Sequence, residues 1–157
     1  ANAVVCAKQL GWSKTAIRRG LRNAVHPGRF EIISRKPRII LDGAHNPEGV
    51  TALVERLKEE SKPVVVLCSI LRDKDREAML RQLREVTPDI YETTFDFPRA
   101  RTLEELDSDG ANAMELEQFF KEVDTTNETL IVTGSLYFIS TVRTLLKAQS
   151  FTKKGKR

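Results

Sequence analysis

The sequence lacks the features that mark secreted, membrane-spanning or phosphate-loop proteins. Its 157 residues include only two cysteines, Cys6 and Cys68, which lie in apolar segments far apart in the chain. We therefore expect two buried free thiols rather than a disulfide. No apolar run approaches the roughly 18 residues of a membrane span, and no signal peptide is present. No G-x-x-x-x-G-K-S/T loop occurs either, so this chain alone should not turn over ATP. These absences predict a soluble, cytoplasmic protein.

The charge balance gives little information about binding partners. The sequence has 26 Lys and Arg residues against 22 Asp and Glu residues, a net charge of +4. This small excess favours anionic ligands only weakly and predicts no nucleic-acid partner. The hydrophobic content of 40% is enough for one core, so we expect a monomer with one domain and a short appendage. The first residue is Ala rather than Met, as expected of a fragment or a processed chain.

The two ends of the chain differ from the segment between them. Apolar residues recur at helical spacing in residues 1–24, where Ser13 can cap a second helix, so a helical hairpin is predicted. Residues 151–157 are basic and have no apolar pattern, and we expect them to be disordered. Residues 25–150 form the predicted domain.

Residues 37–57 give the clearest local pattern. A short apolar run, suited to a strand that is buried on both faces, ends just before Asp42. Asn46 can cap a helix, and Pro47 fits the first helical position. On residue types alone, Asp42, His45 and Asn46 indicate a capping turn slightly more than a functional site.

Polar residues also follow the remaining predicted inner strands. Strands alternate with helices from residue 30 to 148, which predicts an α/β fold with an open, mostly parallel, Rossmann-like sheet and helices on both faces. Because parallel strands end at one edge, we expect their polar ends to form a single site for an anionic ligand. The four polar clusters are residues 42–46, 73–75, 98–99 and 133–135.

The order of these motifs resembles that of a known enzyme family. L-D-G-A-H-N-P, D-K-D and V-T-G-S-L-Y-F, preceded by P-G-R-F-E, resemble the carboxy-terminal domain of folylpolyglutamate and dihydrofolate synthases of the Mur ligase superfamily. In that family ATP phosphorylates the carboxylate of a folate-type substrate, and the amine of L-glutamate attacks the acyl phosphate. The resemblance implies that ATP and Mg are bound mainly by a preceding ATPase domain. Residues 1–24 would then be a remnant of that domain.

The resemblance also implies roles for individual residues. Asp42 and Arg29 would contact the nucleotide, since a planar guanidinium can bind phosphate oxygens in pairs. His45 would assist proton transfer from the attacking amine. No metal ligand is expected in this chain. The residues expected to bind the substrate are His45, Asn46, Lys74, Arg99 and Ser135.

Two alternatives to this ligase domain stay open at the level of sequence. One is a stand-alone module of the same fold that binds an anionic metabolite or nucleotide without catalysis. The other is a Mur-type amino-acid ligase domain with another acceptor. The sequence also leaves open whether the enzyme adds the first glutamate or extends a chain.

Overall fold

The structure, a computed structural model, describes residues 2–24 and 26–154, with side chains up to residue 148. The described residues form seven helices and five strands. In chain order they are α1 (Asn2–Gln9), α2 (Lys14–Asn23), β1 (Glu31–Arg35), β2 (Arg38–Leu41), α3 (Pro47–Leu57), β3 (Val64–Cys68), α4 (Arg76–Leu83), β4 (Ile90–Glu92), α5 (Leu103–Ser108), α6 (Leu116–Glu122), β5 (Thr129–Thr133) and α7 (Leu136–Lys154).

The strands form one open sheet in the order β1-β2-β5-β3-β4. The four strands β2, β5, β3 and β4 are mutually parallel, and β1 pairs with β2 in the antiparallel direction. The predicted open, mostly parallel sheet is confirmed. The carboxyl ends of the four parallel strands lie at the same edge of the sheet.

Helices cover both faces of the sheet, as predicted. Side chains alternate along each strand, so Ile40 packs with α3 and α4, while the next residue, Leu41, packs with α6 and α7. Val66 and Leu67 divide between the two faces in the same way. The central residues of the inner strands are apolar because both of their faces are buried.

The local pattern around Asn46 explains where α3 begins. The Asn46 Oδ1 atom accepts a hydrogen bond of 2.9 Å from the Gly49 amide, and Pro47 is the first helical residue, as the sequence predicts. Four apolar side chains of α3 then face the sheet and are buried. They are Val50, Leu53, Val54 and Leu57.

The predicted helical hairpin of residues 1–24 is present as α1 and α2, but it is poorly covered. None of the described α1 residues is buried, and α2 buries only Ile17. Leu10 and Trp12 are 75% and 60% exposed. The expectation of a buried thiol is confirmed for Cys68 and wrong for Cys6, because α1 has no layer packed over the face that carries Cys6.

The last helix runs further than the sequence pattern suggests. Residues 147–154 contain neither Gly nor Pro, and α7 continues to Lys154, four residues into the segment that we expected to be disordered. Residues 155–157 lie outside the described residues. Nowhere in residues 2–24 or 26–154 is there a helix with the length and apolar character needed to cross a membrane.

Candidate functional site

Three of the turns that follow the parallel strands are held together by backbone contacts. The Ala44 carbonyl, after β2, accepts a hydrogen bond of 3.1 Å from the Gly134 amide, after β5. The Ser69 amide, after β3, donates to the Thr133 carbonyl at 3.2 Å. These contacts bring the turns after β2, β5 and β3 to one edge of the sheet, and two of the predicted polar clusters, residues 42–46 and 133–135, meet there.

Asp42 organises the turn that precedes β1. Its Oδ2 atom accepts a 2.7 Å hydrogen bond from the Phe30 amide, and its Oδ1 atom accepts one of 2.9 Å from the Ala44 amide. Phe30 has a positive φ of 46°, which is unusual for a residue other than glycine. Both carboxylate oxygens of Asp42 therefore serve the backbone, and one of them holds Phe30 in this conformation.

Arg29 lies within the turn that Asp42 holds. Its side chain is exposed, and it makes no hydrogen bond or ion pair with any described residue. Its guanidinium can therefore meet an anionic ligand without first leaving a protein partner.

His45 directs one ring nitrogen back to its own turn. The His45 Nδ1 atom lies 2.8 Å from the Gly43 carbonyl oxygen, and the ring is half-buried. A carbonyl oxygen only accepts, so Nδ1 carries the hydrogen and Nε2 of the neutral ring is an acceptor. His45 is therefore oriented to take a proton at Nε2.

Asn46 and Ser135 both lie at helix starts. Asn46 is exposed and uses Oδ1 as the cap of α3. Ser135 immediately precedes α7, and its buried hydroxyl oxygen accepts a hydrogen bond of 3.2 Å from the Tyr137 amide. The Ser135 hydroxyl keeps its own hydrogen for donation.

Lys74 and Arg99 share one carboxylate. The Asp73 Oδ2 atom lies 3.1 Å from Lys74 Nζ and 3.0 Å from Arg99 Nη1. The hydrogen bond from Lys74, with the charge of Arg99 adding to it, lowers the pKa of Asp73, so this carboxyl is ionised at neutral pH. The two cations predicted to bind substrate thus form one cluster.

A row of aromatic rings connects this cluster to α7. The Phe97 ring centroid is 4.4 Å from that of Tyr137 and 5.6 Å from that of Phe95, both in stacked geometry. The Arg99 guanidinium lies 5.4 Å from the Phe97 centroid. The sequence placed Asp73 in a polar cluster but did not predict its contacts with Lys74 and Arg99, and it did not predict the stacking of Phe97 on Tyr137, because a motif does not show which side chains touch.

None of the seven predicted site residues lines a groove of about 1140 Å³ that lies between β1 and the α6 and α7 layer. The lining of this groove includes Ile33, Phe120 and Arg143.

Comparison with known proteins decides the family. A family model described as "Mur ligase, glutamate ligase domain" matches residues 28–148. The chain belongs to this family. The resemblance seen in the sequence motifs is therefore confirmed, and the site lies within the matched glutamate ligase domain.

Two relatives that match most of the chain are named as folylpolyglutamate or dihydrofolate synthases. The chain is 37% identical over 145 residues to "Dihydrofolate synthase/folylpolyglutamate synthase" of Bacillus subtilis (strain 168), with 86% of the chain and 34% of the relative covered. It is 38% identical over 161 residues to "Folylpolyglutamate synthase" of Lacticaseibacillus casei, with 94% and 37% covered. The chain thus spans about a third of the length of these relatives.

Solved structures show the same fold. A bifunctional folylpolyglutamate synthase/dihydrofolate synthase crystallised with Mn, AMPPNP and L-glutamate superimposes with a TM-score of 0.74 at 32% identity. The match covers 87% of this chain and 35% of that one. The glutamate ligase domain described above is therefore one part of a larger enzyme architecture in these relatives.

Proposed function

We propose that this chain is the glutamate-binding, carboxy-terminal domain of an ATP-dependent folate:L-glutamate ligase of the folylpolyglutamate synthase/dihydrofolate synthase type. The observation that carries the proposal is the cationic cluster at the carboxyl edge of a glutamate ligase fold, where Lys74 and Arg99 are 3.1 Å and 3.0 Å from one carboxylate oxygen. Lys74 and Arg99 contact the carboxylate of Asp73, and the same two cations suit a carboxylate of a dicarboxylic amino acid such as glutamate.

Arg29 and Asp42 fit a role toward the nucleotide. The Arg29 guanidinium is exposed without a described partner, and the Asp42 carboxylate holds the turn that presents it. ATP, when bound, supplies the phosphoryl group that activates the acceptor carboxylate. We assign ATP and Mg mainly to a preceding domain, and the described residues contain no group of three or more His, Cys, Asp or Glu that could hold a metal ion.

Glutamate would lie between the cationic cluster and the start of α7. Lys74 and Arg99 would hold a carboxylate, while the Ser135 hydroxyl and the free amides of α7 would donate to another. Asn46 keeps its amide nitrogen as a donor beside them. His45, with Nε2 as acceptor, would take the proton from the attacking amine.

The uncovered helices suit a partner within the same protein. Val5, Leu10, Trp12 and Leu21 are large apolar side chains that are more than half exposed. Residues 1–30 contain no Asp or Glu. An ATPase domain that packs on α1 and α2 would cover these side chains. Both cysteines are free, as is usual in a reducing compartment, so we place the proposed ligase in the cytoplasm.

The test is ATP-dependent and folate-dependent incorporation of labelled glutamate. We compare this chain alone with the full-length protein that contains it, and expect incorporation by the full-length protein only. In that protein Lys74→Gln should raise the KM for glutamate about tenfold or more, whereas Asp96→Asn, an exposed change in the loop after β4, should leave it unchanged. Absence of incorporation by a folded full-length protein would favour a binding module or another acceptor.

A further inference from the structure

Asp73 keeps two like charges close together. Because its Oδ2 atom contacts both Lys74 Nζ and Arg99 Nη1, these two nitrogens lie within about 6 Å of each other. Two cations at this separation repel, and a carboxylate between them offsets the repulsion. We call Asp73, Lys74 and Arg99 the carboxylate clamp.

The ion pairs of the clamp contribute little to the stability of the fold. The side chains of Lys74, Asp73 and Arg99 are 29%, 42% and 48% exposed, and ion pairs so open to water contribute little to stability. An ammonium has three N–H donors and a guanidinium has five. Each cation has Asp73 as its one described hydrogen-bonding or ion-pair partner, so its other donors are available to a ligand.

The charged side chains on either side of Asp73 and Lys74 have hydrogen-bond partners outside the clamp. Arg72 donates to both carboxylate oxygens of Glu105, at 3.1 Å and 2.6 Å. Asp75 uses its carboxylate to cap α4 through the Ala78 amide at 3.0 Å. The three members of the clamp sum to a charge of +1, and the Asp75 carboxylate next to Lys74 keeps its own negative charge.

The Asp73 carboxylate gives the clamp a basis for selection. It repels a dianionic group of a ligand about twice as strongly as it repels a single carboxylate group at the same place, because the Coulomb energy scales with the charge. We propose that Asp73 is a specificity-determining residue that sets the clamp to accept a substrate carboxylate and to reject dianionic phosphate-type groups. This rests on the proposed function, in which glutamate and phosphoryl groups meet at the same edge of the sheet.

The test measures the ratio of two affinities in this chain. L-Glutamate and sulfate, a dianionic oxyanion, are titrated separately at constant ionic strength, and binding is followed by NMR at the Arg99 Nε–H and the Lys74 backbone amide. We expect tighter binding of glutamate than of sulfate. Asp73→Asn, which keeps the size of the side chain, should lower the sulfate Kd relative to the glutamate Kd about tenfold. Asp96→Asn serves as the matched control and should keep the original ratio.

An unchanged ratio in Asp73→Asn, or no saturable binding of either anion to the unmutated chain, would overturn the proposal. The assay contains neither ATP nor folate, so it does not depend on ligation. An unchanged ratio together with glutamate incorporation by the full-length protein would reject the clamp alone. A shifted ratio without incorporation would reject the ligase function alone.

Discussion

The Nδ1 atom of His45 lies 2.8 Å from the carbonyl oxygen of Gly43, two residues earlier in the same turn. This contact leaves Nε2 as the acceptor nitrogen of the neutral ring. A short turn after a strand thus sets the tautomer of the residue that we propose as the proton acceptor.

Removing this imidazole should slow ligation without unfolding the domain. We expect His45→Ala in the full-length protein to lower kcat for glutamate incorporation by about 10² or more, the usual size of a general-base contribution. His26, the other histidine of the chain, is exposed and provides the control, since His26→Ala should keep kcat within about twofold. Equal kcat values for His45→Ala and the unmutated protein would remove His45 from the proposed chemistry.

We expect Asp42 to stabilise the fold, independently of its proposed role toward the nucleotide. Its carboxylate accepts from the buried Ala44 amide and the half-buried Phe30 amide, and Asp42→Ala leaves both donors unpaired. An unpaired buried donor costs about 1–3 kcal/mol and a half-buried one less, so we expect a loss of about 2–4 kcal/mol in the free energy of unfolding. Urea unfolding of this chain measures the loss. Asp96→Ala, at an exposed position, is the control, and a loss no larger than its own would contradict the assigned role.

Local features of the sequence predicted local structure well. Asn46 as the cap of α3 and Pro47 as its first residue follow from the side-chain oxygen of one and the missing amide hydrogen of the other, and both are confirmed. The alternation of strands and helices predicted the parallel sheet for a similar reason. Each apolar run must be covered on both faces, and helices between parallel strands are how a chain achieves this.

The sequence did not predict which distant segments lie next to each other. β5 comes last among the strands yet lies between β2 and β3, and no local pattern states this order. The sharing of the Asp73 carboxylate by Arg99, 26 residues away, depends on how two loops meet after β3 and β4. The exposure of Cys6 depends on what covers α1, which apolar spacing does not specify.

We predict that the stability of the fold depends on pH through Glu105, which is not one of the proposed site residues. Hydrogen bonds from the Arg72 guanidinium and, to a lesser extent, the Thr102 amide lower the pKa of Glu105 from 4.5 to about 2. Because the folded-state pKa is depressed, the stabilisation by this carboxylate is present above pH 4.5 and is lost as the pH falls toward 2.

Titration of the Glu105 carboxyl carbon by NMR measures this shift directly. Arg72→Gln removes the largest cause and should raise the pKa of Glu105 toward 4.5. Arg81→Gln, an exposed change on α4, should leave the pKa unchanged. A Glu105 pKa near 4.5 in the unmutated chain would show that the Arg72 hydrogen bonds are not maintained in solution.

Two glycines should respond to the same substitution with opposite signs. Gly134, between β5 and Ser135, has a φ of 102°, and a Cβ atom there would lie 2.6 Å from the Ser69 carbonyl oxygen. Gly134→Ala therefore combines backbone strain with a clash against another backbone, and we expect it to destabilise this chain by about 2 kcal/mol or more. A Cβ atom at Gly20, inside α2, would meet no neighbour within 4 Å, so Gly20→Ala should stabilise α2 by about 0.5–1 kcal/mol. Urea unfolding tests both changes. Tolerance of Gly134→Ala would mean that the turns after β3 and β5 do not approach this closely, and that Ser135 is not held where the proposed glutamate site requires it.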